Sequence, residues 1–513
     1  MMQFAVTPVI PWIIVVYLAF ILIFGIVMSR RAKTMSDYYI AGKKAPAFIA
    51  IVSGSAAIMS GFGLVGIPGL TYQFGVVADW IQIPAILGFS VAAFFIARKM
   101  RTLAEVREVY SVPDAIALRY TRFPTAARIM GVLGLLSGLL GYLSVEFMAL
   151  GVVMSSIFPI SLWTGVLIGT AIVGIYTILG GIAAGIWTDL IQFSMEMLAG
   201  ISILIASFVV AGGPVGILRT FASSAVPKWQ YHAALWWPAG GLGIWAALAW
   251  VLTFTFGHMG QPQLLSKYYC HRDIAKMKWQ ALGNGITYSL AGLVSFAGLA
   301  LAALVAAGKV APLANSNYAV PYFLIHYIPS GIAGLVFAAL IAASMATTNG
   351  FANIASAALT RDLMQKTFNV KMDEKSGLMW GRFWTFILII VALVVTYYWK
   401  TLIGFAGSAA WSTLASVFLP LVSIGLNWRR ATSYGAVAGA AVGIFTSLYF
   451  TVANYNPSGF FGSSLAIVLS VAVFIVVSLV TPPDELPADV EAIVGMNEYA
   501  PSAVQPAMVQ KAG

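Results

Sequence analysis

Uninterrupted apolar runs constrain this chain more than any other feature. The stretch from Ile10 to Met28 carries no charged residue, and comparable runs recur up to Val480. A hydrocarbon core about 30 Å thick takes about 20 helical residues to cross. Backbone in lipid must satisfy its own hydrogen bonds, which leaves only helices or closed barrels. Barrel strands would read as short alternating segments, and these runs do not alternate. The chain therefore reads as an all-α integral membrane protein with about 13 transmembrane helices, at 9–28, 47–70, 78–97, 128–158, 162–180, 186–212, 240–262, 280–307, 330–358, 381–399, 402–426, 432–453 and 462–481. Charged residues fit that solvent, at 9% of the chain against about 25% in soluble domains.

Basic residues near span ends stay on the cytoplasmic side. With the N-terminus outside, 24 of the 28 lysines and arginines fall inside, and only Arg219, Lys228, Lys309 and Lys400 fall outside. The expectation is a multi-pass protein of the plasma membrane, the inner membrane in a bacterium, with its C-terminus cytoplasmic. The net charge of +11 then belongs beside anionic lipid headgroups of the bilayer, and no nucleic-acid partner is expected. The first span has no basic region before it and is longer than a signal-peptide core, so it reads as a retained helix. One cysteine, Cys270, excludes an internal disulfide; a free thiol is expected there.

Two spans are dense in helix breakers. The second contains Gly61, Gly63 and Pro68, and the seventh contains Gly257, Gly260 and Pro262. Each glycine costs a helix about 1 kcal/mol and each proline about 3. Backbone that leaves the helix at membrane depth must line a buried or watery cavity, where its carbonyls can coordinate a cation. The two broken spans stand five apart, at matching positions of spans 2–6 and 7–11, the mark of an inverted five-plus-five repeat with its site at the midplane. The expected organisation is an extra N-terminal helix and loop (1–46), a first five-helix repeat (47–239), a second, inverted one (240–430), two C-terminal helices (431–481) and a disordered tail (482–513).

Five local features, in order, resemble the sodium/solute symporter family, which includes bacterial proline, pantothenate, sialic acid and monocarboxylate carriers. They are Met59-Ser60-Gly61 with Gly66-Ile67-Pro68-Gly69, the run from Gly180 to Gln192 containing Trp187-Thr188-Asp189, then Gly260-Gln261-Pro262, Ala342 to Thr347, and Ala358 to Leu363. The resemblance covers about residues 10–480 and implies a LeuT-like core working by alternating access. It implies a sodium site built from the carbonyls of Ala56, Met59 and Ala343 and the hydroxyl of Thr347. A second family hydroxyl falls on Ala346, which has none, so sodium loses a hard oxygen ligand there. Ser344, Thr348, Ser60 or water are the substitutes, and proton coupling is the alternative. The resemblance further implies solute contacts at Tyr142, Phe254 and His258, with Gln261 and Glu146 as polar partners.

Ionisable groups at membrane depth are functional candidates by default. Asp189, Gln192 and Glu196 share one helical face through their i, i+3, i+7 spacing. Asp189, with Asn349 facing it, is a candidate second cation site or a gate residue. Glu146 is a candidate for proton coupling, for binding a substrate amine, or for an interhelical hydrogen bond. No phosphate-binding Gly-x-x-x-x-Gly-Lys-Ser/Thr loop occurs, and the four histidines are scattered, which speaks against a pump or an enzyme. No organic cofactor is expected. The reading is sodium-coupled symport of a small organic solute: an amino acid, short carboxylate or vitamin. A proton-coupled symporter of the same fold, or a channel or sensor built on it, is the alternative.

Overall fold

The computed structural model describes residues 5–29, 43–224, 242–399 and 401–496. Lys228, Lys400, Lys511, His232 and the loop 30–42 lie outside the described residues. No β-strand forms among the described residues. Nine helices among them are long and apolar enough to cross a membrane.

In chain order the helices are α1 (Val9–Ser29), the two halves of the second span α2 (Ala47–Ala56) and α3 (Ile67–Phe74), α4 (Gln82–Ala92) and α5 (Arg98–Val106). Then come α6 (Pro124–Ile157), α7 (Leu162–Ala211), and the two halves of the seventh span, α8 (Ile244–Phe256) and α9 (Pro262–Tyr269). After these stand α10 (Gln280–Gly292), α11 (Ser295–Ala306), α12 (Ser330–Ala357), α13 (Glu374–Tyr398), α14 (Ile403–Phe418), α15 (Ser433–Val452), α16 (Gly462–Val480) and α17 (Ala488–Val494).

Helix α7 runs for 50 residues. Straight, it would be about 75 Å long, more than twice the hydrocarbon thickness. It is not straight, because the Tyr176 hydroxyl meets the Thr188 hydroxyl. Residues twelve apart in a straight helix stand about 18 Å from each other along the axis, so the chain turns back between them. Its limbs coincide with the fifth and sixth expected spans.

Both expected breaks are present. In the second span, α2 ends at Ala56 and a wide π turn at Phe62–Gly66 precedes α3, with Pro68 in its first turn. In the seventh, a 3₁₀ turn at Gly257–Gly260 and an extended Gln261 separate α8 from α9, which starts on Pro262. Each proline stands in a first turn, where its missing N–H costs no hydrogen bond. The most buried helix of the bundle is α12, packed on α7, α6 and α1, with α14 against α6. Gly134 and Gly138, one turn apart on α6, receive Val417 and Leu414 of α14, and a side chain at either would overlap them. Small residues so spaced let helix backbones approach closely in lipid.

The tail departs from expectation. Residues 482–496 are not disordered: α17 packs Val490, Ile493 and Val494 inward. Asp489 accepts a two-pronged hydrogen bond from Arg107, at 2.7 and 2.9 Å. Buried Lys99 donates to the carbonyls of Leu426 and Val494, both at 3.0 Å. Composition suggested disorder because the segment is short and rich in proline and acid. What folds it is a set of basic and carbonyl partners contributed by distant parts of the chain.

Candidate cation and solute site

The second-span break dictates the geometry at its centre. In a continuous helix the Gly61 and Phe62 N–H groups would bond the carbonyls four residues back. Instead Gly61 N–H donates to Glu146 Oε2 at 2.8 Å, and Phe62 N–H donates to the Ser60 hydroxyl at 3.1 Å. The Met59 carbonyl turns towards α12, where it accepts from Thr347 Oγ1 at 3.3 Å. Two of the four expected sodium ligands therefore meet directly. All four, Ala56, Met59, Ala343 and Thr347, are buried, as is Ala346. The site can offer a cation backbone carbonyls and a hydroxyl in a dry setting, the ligand chemistry hard cations take.

The expected solute residues gather around the same break. Phe62 stacks on Phe254 at 6.0 Å between ring centroids and meets Tyr142 edge-on at 6.3 Å. The Tyr142 hydroxyl lies 3.1 Å from that of Ser60. His258 packs between Phe89 of α4 and Trp411 of α14, with centroids 4.8 and 4.9 Å away. Its Nδ1 lies 2.7 Å from the Phe254 carbonyl, so Nδ1 carries a proton and donates. In the neutral ring Nε2 is then an acceptor. Among the described residues Nε2 has no hydrogen-bond partner, and neither does the Trp411 Nε1–H. Trp411, absent from the expected set, is thus a wall of this site that sequence reasoning missed. A tryptophan in an apolar run reads as packing, and only the fold turns it inward.

Gln261 and Glu146 behave differently from expectation. The Gln261 amide is committed at both ends: Nε2 donates to the carbonyls of Gly257 and Trp411, each at 3.1 Å, and Oε1 accepts from Gln263. It braces the break against α14 and has little left for a solute. Glu146 presses on the second-span break through Gly61, away from His258.

Asp189 is already engaged. Its Oδ2 accepts from Lys267 Nζ of α9 at 2.9 Å and from the Ser53 hydroxyl of α2. Both ion-pair partners are buried. Asn349 sits against Gly185, one turn before Asp189, and accepts from Asn353 at both its backbone and side-chain oxygens. The Asp189 carboxylate therefore closes a gate-like contact between the inner halves of the two broken spans. Nearby, Ala45 N–H donates to the Cys270 carbonyl and Arg272 N–H to the Ala45 carbonyl, at 3.0 and 2.9 Å. Gln192 and Glu196 are buried as their spacing requires; Gln192 donates to the Tyr17 hydroxyl of α1 at 3.1 Å.

Known proteins were compared with this chain on sequence and on fold. The sequence pattern of the sodium:solute symporter family matches residues 38–443. The high-affinity proline transporter PutP of Bacillus subtilis is 26% identical over 446 residues, 85% of this chain and 90% of that protein. The sodium/proline symporter of Escherichia coli is 26% identical over 443 residues, 84% of this chain and 85% of the relative. Among solved structures, a Na+-coupled sialic acid symporter in a substrate-bound outward-open state superposes with a TM-score of 0.79. At 20% identity it covers 94% of this chain and 99% of its own, a likeness of fold.

Proposed function

Because this chain belongs to the sodium:solute symporter family, we propose that the cation it couples to solute uptake is held at the second-span break, by the carbonyls of Ala56, Met59 and Ala343 and the hydroxyl of Thr347. The observation that carries this reading is the Thr347–Met59 contact, which joins the broken span to α12 where a bound sodium would do the same. Binding there favours the conformation that also forms the solute pocket, and the coupling is reciprocal. Rocking of one bundle against the other then opens the site inward.

The solute is a small carboxylate, an amino acid or short organic acid. Phe62, Phe254 and Tyr142 supply apolar walls, while Trp411 Nε1–H and His258 Nε2 are buried polar atoms awaiting partners. A carboxyl group suits them: one oxygen accepts from Trp411, and the other shares a proton with His258. The proline transporters named above fit that class. Asp189, held by Lys267, serves as a gate contact on the basic, cytoplasmic side, and the protein works with one sodium per cycle.

Proteoliposomes given an inward sodium gradient test this reading, with labelled proline and labelled propionate as probes. Sodium-driven accumulation of at least one is expected, absent when potassium replaces sodium. Thr347→Ala should lower sodium affinity and uptake together, by about tenfold or more; a change in only one would refute the shared site. Trp411→Phe keeps the ring and removes only the N–H. It should raise KM about tenfold while the sodium dependence stays put, and an unchanged KM removes Trp411 from the pocket.

A further inference from the structure

The sodium site proposed above lacks the hydroxyl that Ala346 cannot supply, and the structure holds an uncommitted replacement close by. Glu146 of α6 and Ser344 of α12 converge on Gly61 from opposite sides, and a methyl group there would overlap both Ser344 Oγ and Glu146 Oε2. Only Oε2 is occupied, by the Gly61 N–H at 2.8 Å. Glu146 Oε1 and Ser344 Oγ are buried with no hydrogen-bond partner among the described residues. Leaving two such oxygens dry and unpaired costs several kcal/mol, so the arrangement implies a missing ligand. Ser344 and Thr347 are three residues apart and share a face of α12. Met59 and Gly61 are two residues apart in the break.

We infer that Glu146 Oε1 and Ser344 Oγ are ligands of a monovalent metal cation bound at the second-span break, the carboxylate standing in for the hydroxyl absent at position 346. This rests on the sodium reading and deepens it. The substitution exchanges a neutral ligand for a full negative charge, so a site with one oxygen fewer from α12 keeps its affinity. It also explains why position 61 must be glycine: the carboxylate, the serine and the break all occupy the space a side chain would take.

The test is a sodium titration of melting temperature for the purified full-length protein, with potassium and choline chloride as equal-strength controls. Wild type should be stabilised by sodium alone. Glu146→Gln should weaken the apparent sodium affinity at least tenfold, and Ser344→Ala about threefold. Glu146→Gln combined with Ala346→Ser should recover most of the loss, because the missing hydroxyl returns. If Glu146→Gln fails to fold, Ala346→Ser alone decides: tighter sodium binding that no longer depends on Ser344 supports the inference, and unchanged binding overturns it. Glu146→Gln with wild-type sodium affinity also overturns it, leaving the Met59–Thr347 site standing. Wild type with no sodium-specific stabilisation would instead refute the underlying sodium reading.

Discussion

Cys270 packs among Ala45, Ile49, Ala50 and Ile186, just past the end of α9, and burial pushes its thiol up to about 11. Only the thiolate reacts, so maleimide labelling at pH 7.5 should run at least a hundredfold slower than for free cysteine; fast, complete labelling would mean that the basic face stands open. The next residue sets a pH limit. Burial, aided by the Arg101 charge, pushes the His271 imidazole down to about 4. An unfolded histidine takes up its proton near 6.5, so between about 6.5 and 4 the unfolded chain binds protons the folded one refuses, and stability falls as pH falls. Melting temperature should drop across that window, less steeply in His271→Gln; equal slopes would refute the assignment. The sequence disclosed these residues by type and depth, not by partner. Asp189 and Glu146 stood out as carboxylates within apolar runs. That Lys267, 78 residues from Asp189, would neutralise it was invisible, because a lysine past a span end reads as a topology signal.

Spans interrupted by glycine and proline were legible as elements, since their interruption is local chemistry. The joining of their inner halves is not local. Ser53 of α2, Asp189 of α7 and Lys267 of α9 meet at one carboxylate oxygen, and no periodicity encodes a contact among three helices. Removing one member of a buried ion pair costs about 3–5 kcal/mol because the other charge is stranded. Lys267→Met should therefore lower the melting temperature more than the double variant Lys267→Met with Asp189→Asn, and should speed Cys270 labelling at least tenfold. Additive effects in the double variant would show that the pair is not a coupled latch. The same reasoning explains the tail: α17 has only three inward apolar side chains, too few to predict a helix without knowledge of Arg107 and Lys99.

Across the whole molecule the fold follows from solvent: lipid demands helices, the breaks fix where two of them open, and the repeat brings those openings together. Docking of α17 adds a closure on the basic face. Deleting residues 482–513 should lower the melting temperature by several degrees, and Arg107→Ala by less, since a partly exposed ion pair contributes about 1 kcal/mol; a truncated protein that melts like wild type would make the docking dispensable. The clasp also has a place in time. Arg107 and Asp489 are separated by 382 residues, and synthesis proceeds at about 5–20 residues per second. For tens of seconds on the ribosome, Arg107 and Lys99 wait without their acceptors while the remaining spans insert. The basic face is thus finished last, by the final stretch of chain to emerge, and a polypeptide stalled after its last membrane helix would carry every span yet lack the contact that closes them.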